Sequence, residues 1–161
     1  IAEYTTITLV STYWGKMMKA ELTRQLRSDE GVKACAYTDT LGYLTIGVGR
    51  LIDARKPGSG LRPSEIDFLL QNDIDDRIEA LTRRLPWFQN LDDARRGALL
   101  NMSFQLGVDG LLGFKNTLAM VESGDYMGAA RNMMQSKWAT QTPARANRMA
   151  EQMRTGRWQF A

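Results

Sequence analysis

The sequence predicts an α+β fold, mainly helical, in which one small antiparallel sheet precedes a set of helices. Three observations carry this expectation. Strand-favouring residues are confined to Ala36–Ile52, where Tyr37, Tyr43, Thr45, Ile46 and Val48 surround the turn Asp39-Thr40-Leu41-Gly42. Apolar residues at helical spacing then run without a break from Pro63 to Pro86. Beyond Pro86 the chain divides into further helical segments punctuated by Gly, Asp and Pro. With 161 residues, 43% apolar and 24% charged, the chain suits one soluble domain or two small lobes sharing a helix. A single domain over 1–161 is expected: a sheet lobe at about 31–62, a connecting helix at about 63–85, and a helical lobe at about 86–161 joined by the N-terminal helix.

Taken in order, Ile7, Val10, Trp14, Met17, Leu22 and Leu26 recur at mostly helical spacing, with Lys19, Arg24 and Arg27 between them. They predict an amphipathic first helix ending near Asp29 or Glu30, with Gly31 as its stop. After the sheet, Lys56-Pro57-Gly58-Ser59-Gly60 is loop chemistry, since Pro57 blocks a helix and the glycines tolerate positive φ. Pro63 fits a first helical turn, where its missing N–H would be unpaired anyway. From there Ile66, Leu69, Leu70, Ile74, Ile78 and Leu81 form one face, and Arg83 and Arg84 complement the dipole at the end. A helix of some twenty residues is about 30 Å long, enough to join two lobes. Asp92 or Asp93 starts the next, which carries Ala98, Leu99, Met102 and Leu106 and is expected to stop before Gly107 and Gly110. Helices over Asn116–Ser123, Asp125–Ser136, Lys137–Thr140 and Pro143–Arg154 complete the pattern. The nine methionines are read as flexible core filling, and Trp138 and Trp158 as core.

The chain contains no histidine. That removes Ser-His and Cys-His nucleophile pairs, and zinc hydrolase sites built on imidazole. Hydrolysis by this chain must rest on carboxylates. One cysteine, Cys35, excludes an intramolecular disulfide and is expected to be a buried filler between Ala34 and Ala36. A net charge of +3 fits an anionic polymer such as a peptidoglycan, a teichoic acid or a nucleic acid, and equally fits solubility alone. Residues 1–15 lack a charged n-region and a cleavage site. Tyr4–Trp14 is mildly apolar and too short to span a bilayer. It reads either as the remnant of a membrane-targeting segment or as an extra helix turn.

The run Ser28–Ile52 places Glu30, Asp39 and Thr45 in the spacing Glu-x8-Asp-x5-Thr. Cleaving an acetal requires a carboxyl that delivers a proton, and a second carboxylate that manages a water or attacks directly. Glu30 at a helix end can be desolvated as the acid, Asp39 in a turn stays hydrated, and the stiff Thr45 side chain can fix a water. By spacing alone the same pair also reads as two solvated surface acids.

The wider pattern resembles the T-even type of phage lysozyme, the muramidases of glycoside hydrolase family 24. The resemblance rests on Asp29-Glu30-Gly31, on Tyr37-Thr38-Asp39-Thr40-Leu41-Gly42-Tyr43-Leu44-Thr45-Ile46-Gly47-Val48-Gly49, and on Asp93-Ala94-Arg95-Arg96. It continues through Asn101–Gly107, Gly113–Leu118, Trp138–Arg145 and Arg154–Trp158, covering about Asp29 to Trp158. It implies a sheet lobe and a helical lobe joined by a long helix, with a glycan cleft between them. It further implies Glu30 as general acid, Asp39 as the carboxylate handling the attacking water, and Thr45 as that water's neighbour. Leu51, Phe104, Gln105, Thr117 and Asn132 become substrate contacts, and Arg145 a partner of Glu30. Bland readings stand beside these: Phe104 as core, Asn132 as an exposed polar residue, Arg145 as a partner for any acid.

Three departures matter. An N-terminal stretch of about twenty residues precedes the first matched helix. Asp53–Leu61 is shorter than in the T-even enzymes, and Arg50 stands where a histidine often pairs with a carboxylate. The implied activity is hydrolysis of the β-1,4 bond between N-acetylmuramic acid and N-acetylglucosamine, by inversion, as an endolysin encoded by a phage and acting in the host periplasm. Its partner would be peptidoglycan glycan strands rather than nucleic acid, with no cofactor or metal, no membrane span, and a monomeric state. A lytic transglycosylase, which needs one Glu and no water, a virion-associated lysin and a non-catalytic wall-binding module are the competing expectations.

Overall fold

The structure, a computed structural model, describes residues 18–161. Ile7, Val10, Trp14 and Met17 of the expected first helix, and the whole of Tyr4–Trp14, lie outside the described residues. Helix α1 occupies residues 18–29, so the end expected near Glu30 is where the helix stops. Three strands follow, β1 (Lys33–Thr38), β2 (Leu44–Gly47) and β3 (Arg50–Leu51), in one antiparallel sheet of order β1-β2-β3. Tyr37 faces Thr45 and Thr38 faces Leu44, with an irregularity between Lys33 and Tyr37. On the other side Thr45 faces Leu51. Six helices complete the chain: α2 (Pro63–Arg84), α3 (Asp93–Leu112), α4 (Lys115–Glu122), α5 (Tyr126–Met134), α6 (Lys137–Gln141) and α7 (Pro143–Thr155). The fold is the mainly helical α+β arrangement that the sequence predicts.

The chain divides into two compact units, Ile1–Ile66 and Asp67–Ala161, with the boundary in the first turn of α2. In the first unit the only buried residues among those described are polar, Thr45 and Asp53. Burying a Leu, Phe or Met side chain stabilises by roughly 1.5–3 kcal/mol. The sheet unit lacks any such fully buried side chain among its described residues, so polar contacts must hold its hairpin. Cys35 is exposed, against the burial expected of it. It lies on the edge strand β1, whose residues are nearly all exposed, and the flanking alanines offer nothing to pack around it.

The second unit has an apolar core. Leu81, Phe88, Leu99, Met102, Leu111, Val121, Met133 and Met153 are essentially inaccessible to solvent. Methionine as core filler holds for Met102, Met133, Met149 and Met153 but not for Met18 or Met127, which are more than half exposed. Helix α2 buries only the end of its apolar face, at Leu81, while Ile66, Leu69, Leu70 and Ile78 remain exposed.

Asp92 caps α3 by accepting the Arg95 N–H. The stop expected at Gly107 is a break instead: Gly107 adopts φ 72° and ψ 165°, and helix resumes on its far side to Leu112. That backbone region is essentially restricted to glycine, which explains why a helical pattern can survive a residue that reads as a terminator. Trp138 is core, in an edge-to-face contact with Phe114. Trp158 is not; it is 53% exposed. Its ring lies over Gly97, where a side-chain carbon would stand 2.3 Å from the indole, so the tryptophan covers the surface of α3 instead of entering the core.

Candidate active site

The hairpin between β1 and β2 builds one half of the candidate site. Asp39 opens the turn, and its backbone N–H donates to the Tyr43 carbonyl (2.9 Å) while its carbonyl accepts from Gly42 N–H (3.0 Å). Oδ1 of the same residue accepts from two backbone amides, Leu41 N–H and Tyr43 N–H, both at 2.9 Å. A side-chain oxygen that gathers downstream amides is the usual reason for Asp at a turn. Here it also fixes the carboxylate's orientation and leaves Oδ2 free to face β2. Thr45, three residues beyond Gly42 on β2 and buried, presents its hydroxyl to Asp39 Oδ2 and to the Tyr43 carbonyl, each at 3.4 Å. Both contacts exceed the about 2.7–2.8 Å usual for O–H···O bonds. The hydroxyl is thus weakly engaged and has capacity for a further partner. Leu51 on β3 lies directly opposite Thr45 and is half-buried.

Glu30 follows the last turn of α1, its N–H bonded to the Leu26 carbonyl (2.9 Å). The side chain is exposed, so the sheet unit by itself does not supply the desolvation expected for an acid. Its carboxylate comes up against the β2–β3 turn: Oε2 lies 3.4 Å from the place a side-chain carbon on Gly49 would take. The first unit therefore brings Asp39, Thr45 and Leu51 together on one sheet and places Glu30 beside the next turn of that sheet.

Two ion-paired carboxylates that sequence reasoning missed, Asp53 and Glu65, brace this unit. Asp53 accepts from the Arg55 guanidinium at both oxygens (Nε–Oδ1 2.8 Å, Nη2–Oδ2 2.7 Å), from Leu44 N–H at Oδ2 (2.9 Å) and from Arg55 N–H at Oδ1 (3.0 Å). The Arg55 side chain, then the Leu44 and Arg55 amides, hold its carboxyl well below the usual carboxylate range. Arg50 donates to Glu65 Oε1 (2.5 Å), and Arg62 reaches the same oxygen at 2.7 Å while its N–H binds Oε2. Arg62 chiefly, with Arg50 adding charge, lowers the Glu65 carboxyl to about 2. The departure at Arg50 thus replaces a histidine–carboxylate pair by an arginine–carboxylate pair. Asp-x-Arg just after a strand was the available signal for Asp53 and Arg55.

In the helical unit the expected substrate contacts fall into separate local groups. Phe104 and Arg145 line one groove of about 400 Å³ with Leu70, Ile74, Asn101 and Trp158. Arg145 is engaged there by Asn101, donating to its side-chain oxygen (2.7 Å) and its carbonyl (2.9 Å). The Arg77 guanidinium stacks 3.9 Å from the Phe104 ring centre. Gln105 is exposed and accepts from the Trp138 indole N–H (2.8 Å). Thr117 is buried and donates to Asn132 Oδ1 (2.7 Å), so the hydroxyl orients the amide of Asn132, which is half-buried on α5.

A mainly helical α+β protein with an acid at a helix end and a carboxylate–hydroxyl pair on a short hairpin has the architecture of a lysozyme-like hydrolase. The chain belongs to the phage lysozyme family, whose profile matches residues 27–153. It is 32% identical to "Probable T4-type lysozyme 1" of Dictyostelium discoideum over 86% of this chain and 96% of that protein. It is 31% identical to "Pre-baseplate central spike protein Gp5" of Enterobacteria phage T4, over 84% of this chain but only 28% of that longer protein. It also resembles "Peptidoglycan hydrolase gp36" of Pseudomonas phage phiKMV, at 26% identity over 81% of this chain and 15% of the phage protein. Among the described residues no helix is long and apolar enough to cross a membrane.

Proposed function

We propose that this chain is a muramidase that hydrolyses the β-1,4 bond between N-acetylmuramic acid and N-acetylglucosamine in peptidoglycan, by a single displacement that inverts the anomeric centre. The observation that carries the reading is the division of labour within Asp39. Oδ1 is tied to two amides and Oδ2 faces the weakly engaged Thr45 hydroxyl. A carboxylate so held can receive a proton from a water that the hydroxyl positions, without turning away. Glu30 delivers its proton to the glycosidic oxygen as the C–O bond breaks. The water attacks the anomeric carbon from the opposite face and gives its proton to Asp39. Leu51 supplies apolar contact beside Thr45. On the helical unit, Phe104, Gln105 and Asn132, the last oriented by Thr117, are the proposed contacts for the glycan.

The relatives named for lysozyme and peptidoglycan hydrolase activity support this substrate, and a phage-encoded lysin acting on the wall of the host is the setting that fits the family and its phage relatives. The test is Glu30→Gln, which keeps size and polarity and removes the transferable proton. Turnover of purified peptidoglycan should fall by about 10²–10⁴-fold, with an unchanged circular dichroism spectrum. A folded Gln variant within about fivefold of wild type would remove Glu30 from the acid's role. Reducing termini distinguish hydrolysis from the transglycosylase route, which leaves anhydro-muramic ends.

A further inference from the structure

Asp53 is one of two buried residues in the described part of the sheet unit, yet the proposed reaction makes no use of it. We propose that Asp53 and Arg55 form a positioning clamp for Asp39, fixing the turn whose amides orient the reactive carboxylate. The inference rests on the reading of Asp39 as the acceptor of the water's proton.

The contacts converge on three consecutive residues. Arg55 Nη2, already bound to Asp53, also donates to the Gly42 carbonyl (2.7 Å), and Asp53 Oδ2 accepts from Leu44 N–H (2.9 Å). Between these anchors lies Tyr43, whose N–H is one of the two donors to Asp39 Oδ1 (2.9 Å). The Tyr43 ring is covered as well, by the Arg55 guanidinium 5.2 Å and the Lys56 ammonium 4.2 Å from its centre. The far side of the clamp is closed by the Ser59 hydroxyl, which donates to the Asp53 carbonyl.

A buried carboxylate is costly unless charge and hydrogen bonds compensate it. Asp53, with a side chain 4% exposed, has that compensation from Arg55, whose side chain is 67% exposed. No apolar side chain is fully buried in the described sheet unit, so the place of the Tyr43 amide is set by the turn's own backbone bonds and by this clamp. Should the turn shift, the Asp39 carboxylate rotates with its amide donors and Oδ2 leaves Thr45. Displacements of about 1 Å remote from the reacting atoms can cost on the order of 10²-fold in rate.

A clamp that only stabilises the hairpin would change the melting temperature and leave the folded enzyme's kcat intact. The experiment therefore measures Arg55→Met, Arg55→Lys and Asp39→Asn in the full chain on soluble peptidoglycan fragments, at a temperature where each is fully folded. Arg55→Met should lower kcat by about 10–100-fold with KM within about twofold. Arg55→Lys, a point charge that can serve one acceptor but not the fork, should recover part of kcat. If Arg55→Met does not fold, Arg55→Gln carries the same comparison. A kcat within about twofold of wild type, a loss confined to KM, or no recovery of kcat with Arg55→Lys would overturn the clamp. Asp39→Asn separates the two claims: if it stays active the role given to Asp39 fails, and if it alone loses activity only the clamp fails.

Discussion

In the proposed reaction the residue that forms the turn, Asp39, is also the one that takes the water's proton. The same oxygen that ties down Leu41 and Tyr43 is what leaves its twin facing Thr45. This part of the site was legible in the sequence, because Asp before Gly at a strand's end and a β-branched hydroxyl on the next strand both have local reasons to be where they are. Less could be read of Glu30, since burial of an end-of-helix acid depends on what packs around it, and in the sheet unit it stands exposed. Thr45 gives the test at this scale. Thr45→Val keeps the branched shape in a buried position and removes only the hydroxyl. Its kcat should fall by on the order of 10²-fold, as for a single mispositioned reactant, with little change in thermal midpoint. Turnover equal to wild type would take the water-holding role away from Thr45.

The β1–β3 hairpin is an element held by ion pairs, and its response to acid follows from them. An ordinary Glu titrates near 4.3, whereas Arg62 and Arg50 lower Glu65 to about 2. The folded value lies below the unfolded one, so the pair's contribution to stability is fully present above about pH 4.5 and is lost as pH falls toward 2. Asp53, held lower still by Arg55, follows the same sign with a window reaching further into acid. An NMR titration should show the Glu65 side-chain carboxyl with a midpoint near 2, and Arg62→Gln should raise it toward the ordinary value. A Glu65 midpoint at the ordinary value in the wild type would contradict this account of the hairpin. The Asp53–Arg55 pair had a local signal in its Asp-x-Arg spacing, but the Arg50–Glu65 pair had none. Arg50 and Glu65 are fifteen residues apart, and only the fold brings them together. Cys35 misled for a related reason: its neighbours suggest a core, but an edge strand without a packed layer buries nothing.

At the level of the whole chain, periodicity carried most of the architecture. The long helix from Pro63, the confined sheet and the later helices all lie close to where hydrophobic spacing puts them. The exceptions are places where one glycine changes the geometry: α3 continues past the break at Gly107, and Trp158 lies on Gly97 instead of in the core. Such outcomes depend on backbone conformation and close approach, which a one-dimensional pattern does not encode. The proposed reaction is a single displacement only if a water, not a protein carboxylate, attacks the sugar. The anomeric configuration of the first-formed product tests that most directly. Proton NMR of a fresh digest of soluble peptidoglycan, recorded before mutarotation, should show the newly formed reducing end as the α-anomer, inverted from the β-linked substrate. A first product with the β configuration, or one ending in anhydro-muramic acid, would contradict the account.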